Sequence, residues 1–152
     1  MVSKISVGLF TAGILALGLS SAAMADAKAS IEAREACMKA NGGMMKVMVP
    51  VIKGQKPYDK AAIDASIANA QKACGGWADW WGEDTKPGGA VKTEAKAEIW
   101  SDPKGFEAAG AAYVKAEAAV LASTDEASFK AAFPALGKAC QGCHEKFRQA
   151  DE

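Results

Sequence analysis

Net charge is what this sequence most plainly lacks, since its 18 lysines and arginines are matched by 18 aspartates and glutamates. Nucleic acid is thereby disfavoured as a partner, because such binding rests on clustered cationic charge. A local patch that steers a partner is still allowed, as net charge carries no information about distribution. β-Branched residues are few and aromatic residues make up only 7% of the chain. Alanine, lysine and glutamate are abundant instead, so the balance leans to helices and away from sheets. Beyond residue 25 no run is long and apolar enough to span a bilayer, which takes about 20 apolar residues. There is no internal repeat, low-complexity tract or second-domain boundary, and 152 residues suit one modest domain with a real core. Histidine is nearly absent: His144 is the only one.

The N-terminal segment reads as an export signal. Lys4 precedes an apolar run from Ile5 to Leu19, and small residues then lead to Ala23-Met24-Ala25 before Asp26. A positive start, a short hydrophobic stretch and an A-x-A cleavage site match a secretory signal, and the run is too short for a membrane anchor. Residues 1–25 are expected to be removed, leaving 26–152 as the mature domain in the periplasm. Cleavage takes away Lys4 and no acid, so the mature chain stays near neutral with 17 basic and 18 acidic side chains.

Four amphipathic helices follow from periodicity and punctuation. Ile31, Met38, Met45 and Ile52 recur every seven residues, with Met48 and Val49 on the same side, and predict a first helix that ends near Lys53-Gly54. Asp59 is placed to cap a second helix, whose stripe Ile63, Ile67, Ala70, Cys74 and Trp77 predicts a run to about Trp81. Pro87-Gly88-Gly89 breaks any helix and marks the longest loop. Ser101 or Asp102 before Pro103 starts a third helix with Phe106, Tyr113 and Val120 inward. Thr124 or Asp125 caps a fourth, with Phe129, Phe133, Leu136, Cys140, Cys143 and Phe147 inward, and Pro134 predicts a kink or a delayed start there. Short connections between four such helices favour an all-α, antiparallel up-down four-helix bundle. Its inner faces are rich in alanine and glycine, so a bulky cofactor would fill the space they leave.

The segment with strong chemical meaning is Cys140-Gln141-Gly142-Cys143-His144. C-x-x-C-H is the attachment signal for c-type haem: two thiols on adjacent turns bond the porphyrin, and the next imidazole becomes an axial iron ligand. A thioredoxin-like C-x-x-C would follow a strand in a βαβ setting, and this one sits late in a helical chain. A zinc site would have to draw further ligands from Cys37 and Cys74. Because His144 is alone, the opposite face of the iron holds a methionine, a rarer ligand or nothing; Met38, Met44, Met45 and Met48 are the methionines of the mature chain.

These residues bring the chain to a resemblance. A C-x-x-C-H near the C-terminus of a four-helix chain, with Arg148 four residues after the histidine, resembles the class II c-type cytochromes, which include cytochrome c′ and the low-spin cytochrome c-556 branch. The likeness extends over nearly all of the mature chain, through the first helix from Ile31 to Met38, the connector Lys53 to Asp59, Glu98-Ile99-Trp100 and Gly137-Lys138-Ala139-Cys140. It implies one haem c per chain, held by Cys140 and Cys143, with His144 on the iron. Met38, four residues after Arg34, corresponds to the residue that lines the distal haem face, which is a ligand in the low-spin branch and a non-ligand in cytochrome c′. Its bland alternative is an unligated core methionine, and Met44, Met45 and Met48 are read as packing. Arg34 and Arg148 would lie near the haem propionates or the proximal ligand, against a reading as solvated surface cations.

Two functions follow from that resemblance. One is a periplasmic one-electron carrier with His/Met ligation that works with periplasmic redox proteins and is not an enzyme. The other is a five-coordinate haem protein whose open sixth site takes nitric oxide or carbon monoxide. The resemblance leaves open a homodimer through the first two helices or a monomer. Outside the motif, an antiparallel arrangement sets Cys37 beside Cys74, where a disulfide and two free thiols are both compatible with the sequence. Trp77 is read as core, and Trp80 or Trp81 as packing, as a cap on the haem edge or as part of a partner surface.

Overall fold

The computed structural model describes residues 16–149, all-α apart from a single antiparallel bridge between Ala95 and Arg148. Its helices are α1 (Ala16–Ile52), α2 (Lys60–Ala73), a short α3 (Glu98–Ser101), α4 (Pro103–Leu121) and α5 (Glu126–Phe147). Residues 1–15 of the expected export signal lie outside the described residues, and residues 16–25 run straight into α1. The long helices pair as α1 with α2 and α4 with α5, while close backbone approach between the pairs is sparse. This is the expected antiparallel four-helix bundle, with α3 added in the long connection.

Punctuation is as the sequence dictates at most helix ends. Asp59 accepts from the Ala62 N–H at 3.0 Å, and Asp102 accepts from the Gly105 N–H at 3.0 Å with Pro103 in the first turn. Asp125 forms a capping box with Ser128, accepting the Ser128 N–H at 2.7 Å while the Ser128 hydroxyl accepts the Asp125 N–H at 3.2 Å. Gly54 takes φ +66°, a left-handed turn that closes α1.

Three expectations need correction. The second helix stops at Ala73 rather than near Trp81, because Gly75 and Gly76 follow its cap Cys74 and the chain leaves the α conformation; Trp77–Asp79 form a separate 3-10 turn. Of the two outcomes expected at Pro134, the delayed start does not occur, since α5 runs unbroken from Glu126. At that exposed position water can take the carbonyl that the proline leaves without a helical donor. The inner face of α1 is also turned by one residue. Its buried positions are Ala27, Ile31, Arg34, Cys37, Met44, Met48 and Val51, whereas Met38 is 37% exposed and Met45 and Ile52 are only partly buried. Cys37 is bonded to Cys74 with their Cα atoms 4.8 Å apart, and this cross-link turns the Cys37 side of α1 toward α2. Met38 then sits about 100° round the helix.

The core occupies one half of the bundle. Met44, Met48 and Val51 of α1 meet Ile63, Ile67 and Ala70 of α2, Ala116 and Val120 of α4, and Phe129 and Leu136 of α5. Phe129 is fully buried and packs on Tyr58 and Phe133. Past Leu136 the inward positions of α5 change character to Cys140 and Cys143.

Candidate haem-binding site

Cys140, Cys143 and His144 occupy successive turns of one α5 face, as i, i+3, i+4 spacing requires. Both thiols are half-buried and free, with no disulfide between them, while His144 is exposed. Burial pushes both thiols up, so they are un-ionised at neutral pH. Although His144 is exposed overall, its imidazole is partly shielded from water and is held below its ordinary value, first by that partial burial and then by the charge of Arg148, with Glu94 opposing. It is therefore neutral near pH 7, the form that ligates a metal.

The end of α5 is tied down beside this triad. Lys96 N–H donates to the Phe147 carbonyl at 2.9 Å and Gln149 N–H to the Glu94 carbonyl at 2.7 Å. Arg148 N–H caps the helix on the His144 carbonyl at 3.0 Å, and its Nε reaches Glu94 Oε2 at 2.8 Å. Arg148 thus lies close to His144.

Arg34 departs from the surface-cation alternative. It is 6% exposed, its Nη2 donates to the Thr85 carbonyl at 3.4 Å, and its guanidinium stacks 4.4 Å from the centre of the Trp81 ring. Its Nη1 has no partner. A buried cation with a vacant donor suits an anionic group, and haem carries two carboxylates. Trp77, Trp81, Trp100, Phe106 and Phe147 join Arg34 at this end of the bundle as one aromatic cluster, with Trp81 4.7 Å from Phe106 and Phe106 5.2 Å from Phe147. The cluster brings the loop after α2 against α4 and the last turn of α5.

A polar network that the sequence reading did not identify lies between core and site. The Tyr113 hydroxyl is 2.6 Å from both Asn41 Oδ1 and Glu117 Oε1, its one proton serving either acceptor, and Gln71 Nε2 donates to Glu117 Oε2 at 2.9 Å. Asn41 donates to the Cys37 carbonyl at 3.0 Å and to Cys74 Sγ at 3.3 Å, which links the network to the disulfide. Glu117 stands four residues after Tyr113 and three before Val120, so its place on the inner face of α4 was readable from spacing.

The residues present fit a covalent haem. The two thiols are unbonded and the lone imidazole is reachable, Cys140 packs on the edge of the core, and a buried guanidinium with an unused donor stands at the same end. Zinc fits poorly, because Cys37 and Cys74 are consumed by their disulfide and no group of three His, Cys, Asp or Glu converges among the described residues.

A helical bundle whose last helix presents C-x-x-C-H in this way defines the class of c-type haem proteins. Residues 29–148 match the family model described as cytochrome c′, and the chain belongs to that family. It is 35% identical over 133 residues to a cytochrome c′ of Pararhodospirillum photometricum, covering 82% of this chain and all of the relative. A cytochrome c-556 of Agrobacterium tumefaciens (strain II Chrys) is 32% identical over 120 residues, covering 78% of this chain and 95% of the relative. Among solved structures, a nitric oxide complex of a cytochrome c prime mutant from Alcaligenes xylosoxidans superposes with a TM-score of 0.70 at 28% identity, covering 82% of this chain and 97% of that one. The cofactor of this family is a covalently bound c-type haem, and its members are haem electron carriers or gas binders. No helix among the described residues is long and apolar enough to cross a membrane.

Proposed function

We propose that this chain is a periplasmic one-electron carrier, exported by residues 1–25, with haem bonded to Cys140 and Cys143 and with His144 and Met38 as axial ligands. The observation that carries the reading is the pairing of an accessible, neutral His144 beside two unbonded thiols with a Met38 that stays 37% exposed on α1 instead of joining the core. Haem supplies the iron that cycles between ferrous and ferric states. The chain contributes an imidazole held by the fixed end of α5, a thioether on α1 and, at the same end of the bundle, the aromatic cluster around Trp81 and Phe106. Its partners on this reading are other periplasmic redox proteins.

The second reading keeps the same attachment and leaves Met38 off the iron, so that a diatomic gas takes the sixth position. The nitric oxide complex of the Alcaligenes xylosoxidans relative favours it. Ferric and ferrous absorption spectra of the mature haem protein separate the two. The carrier reading expects a low-spin ferric spectrum with a weak red thioether band, and Met38→Ala should convert it to high spin. A wild-type spectrum that is already high-spin, or one unaltered by the substitution, removes Met38 from the iron.

A further inference from the structure

Two buried side-chain donors stand without a partner among the described residues: Arg34 Nη1 and Trp81 Nε1. Unpaired buried donors are rare in folded proteins, and each calls for a ligand or an explanation. These two belong to side chains that touch, the guanidinium lying 4.4 Å from the indole centre. Their neighbours hold both in place. Thr85, buried itself, offers its carbonyl to Arg34 Nη2 at 3.4 Å, and Trp100 Nε1 donates to the Trp81 carbonyl at 2.9 Å. The indole is wedged between Trp77 at 4.8 Å and Phe106 at 4.7 Å. Neither donor can therefore swing out to solvent without breaking packing on several sides.

A fixed cation and a fixed neutral N–H on two touching side chains can be answered by one carboxylate, which has an oxygen for each. The acidic side chains whose charge reaches Arg34 are Glu35 and Asp84, both exposed, and neither satisfies Nη1. Arg34 lies one turn before Met38 on α1, and Trp81 is joined through Phe106 to Phe147, one turn after Cys143 on α5. The unused donors thus sit at the end of the bundle that carries the attachment residues.

We infer that Trp81 is a haem-positioning residue, its indole N–H donating to the same haem propionate that pairs with Arg34. This rests on the proposed attachment at Cys140 and Cys143. A bond from each donor favours the ionised propionate, so losing either should raise its pKa. Trp81→Phe removes the N–H while keeping a ring under the guanidinium.

The test uses the haem-loaded full-length mature protein, with haem staining of the denatured chain as the control for attachment. In Trp81→Phe the pH at which the reduction potential inflects should move up by about one unit, a tenfold change in the propionate acid constant. The propionate bending band in the resonance Raman spectrum should shift with it. The same substitution at Trp80 should leave both readouts in place. A second measurement needs no variant: the isotope-labelled indole N–H resonance of Trp81 in the wild-type protein should move as the propionate titrates. Stained haem with an unmoved inflection, an unmoved Raman band and an indole resonance indifferent to pH overturns the assignment while leaving the attachment intact. Wild-type protein without stained haem overturns the attachment itself.

Discussion

At the scale of single residues, the acid side of stability is set by carboxylates with structural work to do. Asp102 is held below the usual carboxylate range by the Lys146 ammonium first and the Gly105 N–H second, and Asp125 by the Ser128 N–H and hydroxyl. A carboxyl whose folded pKa is depressed stabilises fully above its unfolded value and loses that contribution as the pH falls through the folded one. The helix starts of α4 and α5 should therefore weaken together below the ordinary aspartate range. Melting followed by circular dichroism against pH checks this. Asp102→Asn with Asp125→Asn should flatten the acid limb, and an acid limb as steep as wild type would assign the loss to other groups. The same scale decides the fate of Met38. Its neighbour Cys37 is buried by a cross-link, and one residue of offset leaves the thioether accessible.

At the scale of elements, the Cys37–Cys74 disulfide joins α1 to the end of α2 across a sequence separation of 37. Loop-closure arithmetic for that length gives roughly 4 kcal/mol of stabilisation through the unfolded chain. Cys37→Ser with Cys74→Ser should lower the unfolding free energy by about 2–4 kcal/mol in urea titrations. The double variant also removes the sulfur acceptor of Asn41, so the Asn41–Tyr113 contact loosens as well. A loss well under 1 kcal/mol would mean that helix packing alone fixes the α1–α2 pair. The connection from Cys74 to Ala97 does more than link helices. It delivers Trp77, Trp81 and Thr85 to the site end, and Glu94 to Arg148.

At the scale of the whole molecule, stability and site occupy adjoining halves of one bundle, with Cys140 packed on the edge of the core. The core from Met44 to Leu136 carries the packing, and the attachment motif begins one turn beyond it. Phe129→Ala should cost about 3–5 kcal/mol, the usual range for emptying a fully buried aromatic position. Its haem spectrum should match wild type in the folded protein. Absorption spectra and urea midpoints measured on one sample check both halves of the statement, and a changed spectrum would show that the two halves are coupled.

Sequence alone determined whatever depends on neighbours along the chain. Caps at Asp59, Asp102 and Asp125 bond amides three residues on, apolar spacing marked four helices, and Cys140, Cys143 and His144 share a face through helical geometry alone. Tertiary structure decided what depends on partners far away in the chain. The rotation of α1 was ambiguous because apolar side chains occupy two adjacent faces, and the choice lies with distant partners: the bond from Cys37 to Cys74 and the packing of Met44, Met48 and Val51 on the other helices. The end of α2 was misread because Cys74 and Trp77 continue its apolar period whether or not the backbone stays helical. The burial of Arg34 against Trp81 and the meeting of Asn41, Tyr113 and Glu117 were likewise out of reach. Spacing along one helix can put a polar side chain such as Glu117 on an inner face, but it cannot report which distant segment arrives there to satisfy it.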